Sequence, residues 1–152
     1  SMAENYIAQD LAQLNTTYVD LMLLHHICAT PEETVAVWGA LEAMKRKGQA
    51  RAIGVSNFEV PDLTMLAAHA TEPIEANQCH FAVGEIDTET LTYCKAHGIA
   101  LESYGTLHGG VAMDHPTVAA IAARHKVSAA LVMLRYVSQH GITIVTASDN
   151  LE

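Results

Sequence analysis

The chain has 152 residues, half of them apolar, and a formal net charge of −9 with His counted neutral. That length suits one domain with a real core, and its eight Lys and Arg gather only at Lys45-Arg46-Lys47, which argues against a surface that tracks nucleic-acid phosphates. No apolar run reaches the roughly eighteen residues of a membrane helix and no signal peptide is visible; Cys28, Cys79 and Cys94 lie far apart and read as reduced thiols, so the expected location is cytoplasmic and no membrane partner is expected.

Ser1-Met2 reads as a remnant of tag removal, and residues 3–150 as one domain. Residues 3–14 place Ile7, Leu11 and Leu14 at helical spacing, and Asn15-Thr16-Thr17 ends that helix. Tyr18 to Leu24 is nearly all apolar, as befits a strand covered on both faces, and ends in His25-His26. Thr30 is placed to cap a helix that opens with Pro31 and two acids, carries Val37, Trp38, Leu41 and Met44 inward, and stops at Gly48. Ala50 to Val55 is a short buried strand that breaks into Ser56-Asn57, and a helix follows from Val60 to Ala70. Ile74 to Cys79 is the third strand, followed by a helix from Thr88 to His97 closed by Gly98. Ile99 to Tyr104 is the fourth, with a flexible Gly105-Thr106-Leu107-His108-Gly109-Gly110 loop behind it. Pro116 starts a helix to His125, Ser128 caps one from Ala129 to His140, and Ile142 to Thr146 is the fifth strand.

Five strands in regular alternation with six helices predict an α/β fold with a parallel sheet and right-handed crossovers. No Gly-x-Gly-x-x-Gly or Walker loop follows a strand, which argues against the nucleotide-binding doubly wound folds.

In a parallel α/β protein the sites lie at the carboxyl ends of strands. His25, Ser56-Asn57, Gln78, Tyr104 and Ser148 stand there. Ser56, Asn57 and Gln78 offer uncharged donors and acceptors suited to a carboxamide; taken alone, Ser-Asn after a strand is usually a helix cap or a turn. A neutral imidazole such as that of His25 suits work beside a reacting oxygen, or merely caps a strand. His26 next to it is expected to point the opposite way and to be structural. Glu102 lies in an apolar strand, where an acid is either paired or central to the site. His115, His125 and His140 read as helix-surface residues, nothing in sequence activates Cys28 as a nucleophile, and no ligand spacing suggests a metal.

Taken together, Tyr18-Val19-Asp20-Leu21 through His25, Gly54-Val55-Ser56-Asn57-Phe58, Asn77-Gln78, Gly98-Ile99 through Tyr104 and Val145-Thr146-Ala147-Ser148 resemble, in order and spacing, the strands of the aldo-keto reductases. The resemblance implies part of a (β/α)8 TIM barrel and NADP-dependent reduction of a small carbonyl substrate. By it, His25 orients and polarises the carbonyl. Ser56, Asn57 and Gln78 hold the nicotinamide carboxamide, and Tyr104 stacks on its ring. Gly105, Leu107 and Ser148 belong with the cofactor-binding residues. Ala147 stands where the family often carries a Lys for the 2′-phosphate, which leaves NAD as an alternative to NADP.

The family's reaction uses an Asp, a Tyr and a Lys from earlier strands besides the His, and only the His has a match here. A complete barrel typically needs about 250 residues. The expectation is therefore a truncated, incomplete barrel that is not an effective reductase alone. Its open apolar edge strands favour a homo-oligomer. The competing expectations are a half-barrel that binds a nucleotide or small ligand without turnover, and an association module completed by another chain.

Overall fold

The structure, a computed structural model, describes residues 2–147. Six helices alternate with five strands: α1 (Met2–Gln13), β1 (Val19–Leu24), α2 (Pro31–Arg46), β2 (Ala50–Ser56), α3 (Val60–Ala67), β3 (Ala76–His80), α4 (Thr88–His97), β4 (Ala100–Tyr104), α5 (Pro116–His125), α6 (Ala129–Gln139) and β5 (Thr143–Ile144). The expected α/β class is met, with parallel strands alternating with helices. The chain divides into two compact units, Ser1–Asn77 and Gln78–Glu152, so that β3 begins in the first and ends in the second.

In the first unit β1 pairs in parallel with β2, from Val19 opposite Ala50 to Leu24 opposite Val55. The core is Trp38, Leu41 and Met44 of α2, Ile53 and Val55 of β2, Phe58, and Leu63 and Leu66 of α3, all buried. Each such side chain contributes about 1.5–3 kcal/mol by leaving water. Thr30 caps α2 as expected, its Oγ1 accepting from Glu33 N at 3.2 Å, with Pro31 opening the helix. Leu14 does not join the core: α1 ends at Gln13, Asn15 turns to φ 51°, and Leu14 is left 63% exposed.

β3 starts at Ala76, two residues later than the apolar run suggests. Glu75 is the reason. Its backbone N–H donates to Ile53 O (3.0 Å), while its carboxylate accepts from Ile53 N (3.0 Å) and from Lys45 Nζ (2.8 Å). A side chain thus takes a bond that a partner strand would otherwise make. Hydrogen bonding to Glu75 holds the Lys45 ammonium above its ordinary pKa, with Glu72 adding to the effect against the cost of burial.

A second carboxylate ties α2 to the turn after α3. Glu42, only 6% exposed, accepts from Thr71 N (2.6 Å), Thr71 Oγ1 (2.8 Å) and Glu72 N (2.9 Å). Burial pushes its pKa up, but these donors outweigh burial and hold it below the ordinary value.

In the second unit β4 and β5 pair in parallel, Glu102 opposite Thr143 and Ser103 opposite Ile144. Leu91 and Cys94 of α4, Leu101, Val118, Ala122, Met133, Val137 and Ile142 are buried, as is Phe81. Ser128 caps α6 and Gly98 ends α4 in the left-handed conformation, both as expected. Asp87, unremarked in the sequence, caps α4; hydrogen bonding to Thr90, with Glu89 N adding, lowers its pKa against the pull of burial. β5 is two residues long rather than five, although Val145 N still donates to Ser103 O at 2.8 Å.

Glu42→Gln is expected to cost about 1–2 kcal/mol of stability at pH 7, since the charge-assisted bonds accepted by the buried carboxylate are weakened. A carboxylate with a lowered folded pKa stabilises above its unfolded pKa and loses that contribution as pH falls through the folded one. Urea unfolding should therefore show the gap between variant and parent closing below about pH 4.

Candidate functional site

The strand ends of the two units carry the candidate residues. In the first unit β2 closes at Ser56, which is 2% exposed. Asn57 then takes φ 60°, the left-handed region that Asn tolerates better than most side chains. This turns its amide back across the strand ends. Asn57 Nδ2 donates to Ser56 Oγ (3.1 Å) and to His25 O (3.3 Å), and lies 3.3 Å from His26 Nδ1.

His25 and His26 do not point opposite ways. Their rings stack, with centroids 4.1 Å apart and planes at 18°. The alternation of a strand does not apply, because β1 ends at Leu24 and both histidines lie beyond it. Both are exposed, so the histidine pair together with Asn57 and Ser56 forms one polar group at the end of β1 and β2.

What holds this group in place is Asn77, which is fully buried. Its Nδ2 donates to Phe58 O (2.8 Å), and its Oδ1 faces Phe58 N at 3.5 Å. The amide thus satisfies both polar groups of a residue that has left its strand. The sequence offered Asn77 only as the neighbour of Gln78; a polar residue inside an apolar strand was the available signal.

In the second unit Gln78 Nε2 donates to Glu102 Oε2 at 2.8 Å, which resolves the acid in β4 as a paired one. Ser103, also buried, donates to Phe81 O (2.7 Å) and contacts Thr106 Oγ1, pinning the start of the loop after β4. Tyr104 is 37% exposed, and its ring meets that of His80 edge-on at 5.7 Å. Gly105 has φ 68°, and a Cβ there would lie 2.7 Å from His80 Cδ2, so the position requires glycine for its backbone and for its neighbour. Leu107 is half-buried. The expected cofactor residue Ser148 lies outside the described residues. His115 is exposed, as expected of a surface residue, but it stands at the N-cap of α5 rather than within the helix: its Nδ1 accepts from Thr117 N at 3.2 Å.

The fold is that of an α/β protein with parallel strands alternating with helices, as in aldo-keto reductase barrels. The chain belongs to the aldo/keto reductase family, whose model matches residues 1–152. It is 36% identical over 140 residues to a glyoxal reductase of Bacillus subtilis, covering 92% of this chain and 50% of that protein. It is 33% identical over 153 residues to a methylglyoxal reductase of Escherichia coli O157:H7, covering 96% and 57% respectively. Among solved structures, an aldo/keto reductase of Brucella melitensis superposes with a TM-score of 0.91 at 28% identity, over 97% of this chain and 57% of that one. An aldo-keto reductase of Bombyx mori in complex with NADP shares the fold, with a TM-score of 0.88 at 24% identity over 97% of this chain and 54% of that one. The chain spans about half the length of the curated relatives it matches.

Asn77→Leu keeps the branching and the number of side-chain heavy atoms and removes both partners of Phe58. Leaving two buried backbone groups unpaired is expected to cost about 2–4 kcal/mol, seen as a fall in the chemical-denaturation midpoint at unchanged slope.

Proposed function

We propose that the protein is a carbonyl reductase using NADP(H), and that these 152 residues carry nicotinamide contacts rather than the full catalytic apparatus. What supports this most is the family match over the whole chain together with polar strand ends that present the expected side chains: Ser56 and Asn57 in the first unit, Gln78 and Tyr104 in the second. Gly105, Leu107 and Ser148 are assigned with them as cofactor contacts, and NAD remains the alternative nucleotide. The substrate class is a small carbonyl compound, in keeping with relatives named for glyoxal and methylglyoxal reduction.

In this reading the nucleotide, when bound, supplies the hydride. Ser56, Asn57 and Gln78 fix the carboxamide, Tyr104 covers the ring, and His25 orients the carbonyl oxygen by hydrogen bonding. Of the family's four catalytic positions only His25 has a match among these residues. Loss of a proton donor typically costs on the order of a hundredfold or more in rate. The 152-residue polypeptide on its own is thus proposed to bind nucleotide without efficient turnover, in the cytoplasm.

A second reading, association, is favoured by one feature of the second unit. Pro116 to Ala147 contains no acid in a chain of net charge −9, and α5 and α6 line a groove of about 630 Å³ with Ile121, Leu131, Tyr136, Arg124 and Arg135. Such a basic, apolar groove suits contact with a second, acidic copy, alongside the edges of β1 and β5.

Calorimetric titration of the polypeptide with NADPH and NADH tests the main reading. Saturable binding is expected, weakened at least about tenfold by Asn57→Gly, which suits the positive φ but deletes the amide, and by Gln78→Ala. Methylglyoxal reduction should stay near background. Absence of binding at millimolar nucleotide would sink the reading. Light scattering at micromolar protein tests association: a monomer would remove the second reading.

A further inference from the structure

His80, at the end of β3, is absorbed by none of the roles above, yet the loop after β4 closes around its ring. Its Nε2 lies 2.8 Å from His108 O, and its Nδ1 lies 3.4 Å from Glu85 Oε2. Tyr104 meets its ring edge-on at 5.7 Å. Around it the loop approaches so closely that added carbon atoms would not fit. A Cβ on Gly109 would lie 2.6 Å from Glu85 Oε2 and 2.9 Å from His80 Cε1; one on Gly105 would lie 2.7 Å from His80 Cδ2. The Glu85 stem also closes on Gly110, where a Cβ would lie 2.8 Å from its Cγ.

We propose that His80 is a positioning residue: by latching the segment Gly105–Gly110 it fixes the placement of Tyr104 and Gly105, and the latch is tightened by protonation of the imidazole. The nucleotide part of this rests on the proposed function; the latch itself does not.

The chemistry is one of counting protons. A neutral imidazole has a single N–H. Donating it to His108 O leaves Nδ1 as a lone pair facing the Glu85 carboxylate, an unfavourable pairing of two acceptors. Donating it to Glu85 abandons His108 O. Only the imidazolium donates to both at once, converting the Glu85 contact into a charge-assisted bond. The groups facing the ring are Glu85 from the β3–α4 loop, Tyr104 from β4, and His108 from the latched loop, which contributes its carbonyl. The latch is therefore tighter when the imidazole carries both protons and looser when it carries one.

The test uses the intact 152-residue polypeptide. Amide NMR signals of Gly105, Gly109 and Gly110 are followed from pH 8 to pH 5, with exchange protection of residues 105–110 corrected for intrinsic rates. The expected result is that these signals titrate together with the His80 ring and that protection rises about three- to tenfold toward pH 5.5, on the scale of one charge-assisted bond gained. His80→Asn, which retains an N–H donor group but cannot be protonated, should abolish the pH response. Glu85→Gln should abolish the rise in protection while leaving the His80 titration visible. His108→Ala, which keeps the carbonyl, should leave the response intact and so separates the latch from titration of the exposed His108 ring. If the same response persists in His80→Asn, or vanishes in His108→Ala, the latch is overturned.

NADPH affinity, read in parallel, should be higher at pH 5.5 than at pH 7.5 in the parent and flat in His80→Asn. A latch seen by NMR without any nucleotide binding leaves His80 in its role and removes the proposed function. Binding whose pH dependence survives in His80→Asn does the reverse.

Discussion

The first unit depends on one exchange of hydrogen bonds: a side-chain amide standing in for a strand. β2 stops at Ser56 because Asn57 turns into the left-handed region, and Phe58 then lies buried with no ladder to join. Asn77 supplies both missing partners. Without it, two backbone groups would be desolvated and unpaired, each at about 1–3 kcal/mol, and the αL residue before them would add its own cost. Such a price would be large against the total stability of a small domain. The polar group made by Asn57, Ser56, His25 and His26 therefore rests on a residue that is itself closed to solvent.

The same device recurs with carboxylates. Glu75 replaces a ladder bond to Ile53, and Glu42 gathers three donors from the turn after α3. In each case a buried or half-buried acid is tolerated because donors surround it and a Lys or Arg is near: Lys45 with Glu75 at 2.8 Å, Arg46 with Glu42 at 3.9 Å. Ser103 does this work in the second unit as a hydroxyl, joining Phe81 O to Thr106.

These features explain how much of the molecule was legible in the sequence. Apolar runs bounded by turn residues gave the strands, and local capping chemistry at Thr30, Ser128 and Gly98 gave helix ends, since both signals lie within a few residues. Their order and spacing gave the α/β class. Long-range polar bonds were not legible. Nothing near Glu75 announces that it will bond Ile53, so the start of β3 was placed two residues early. Leu14 fitted a helical stripe but fell beyond the turn at Asn15. His25 and His26 would alternate only if β1 continued through them, and it does not. His80 carried no signal, because what makes it a hub is the return of Gly105 and Gly109 from later in the chain.

The polar strand-end residues fall into two groups by exposure, and the division bears on what a ligand would gain. Ser56, Asn77 and Ser103 are buried, whereas Asn57 and Gln78 are half-buried, and His25 and Tyr104 are exposed. The half-buried amides already have partners within the protein: Asn57 with Ser56 and His25, Gln78 with Glu102. A carboxamide arriving there would exchange bonds as well as add them, and the net gain from such exchanges is about 0.5–1.5 kcal/mol each. Amide contacts of that size discriminate among ligands more than they hold them. Under the proposed function most of the affinity for a flat ring would have to come from covered surface, and Tyr104, exposed and met at its edge by His80, would be the side chain to provide it. Bracing matters for this purpose, because a ring already ordered before the ligand arrives loses less entropy on stacking.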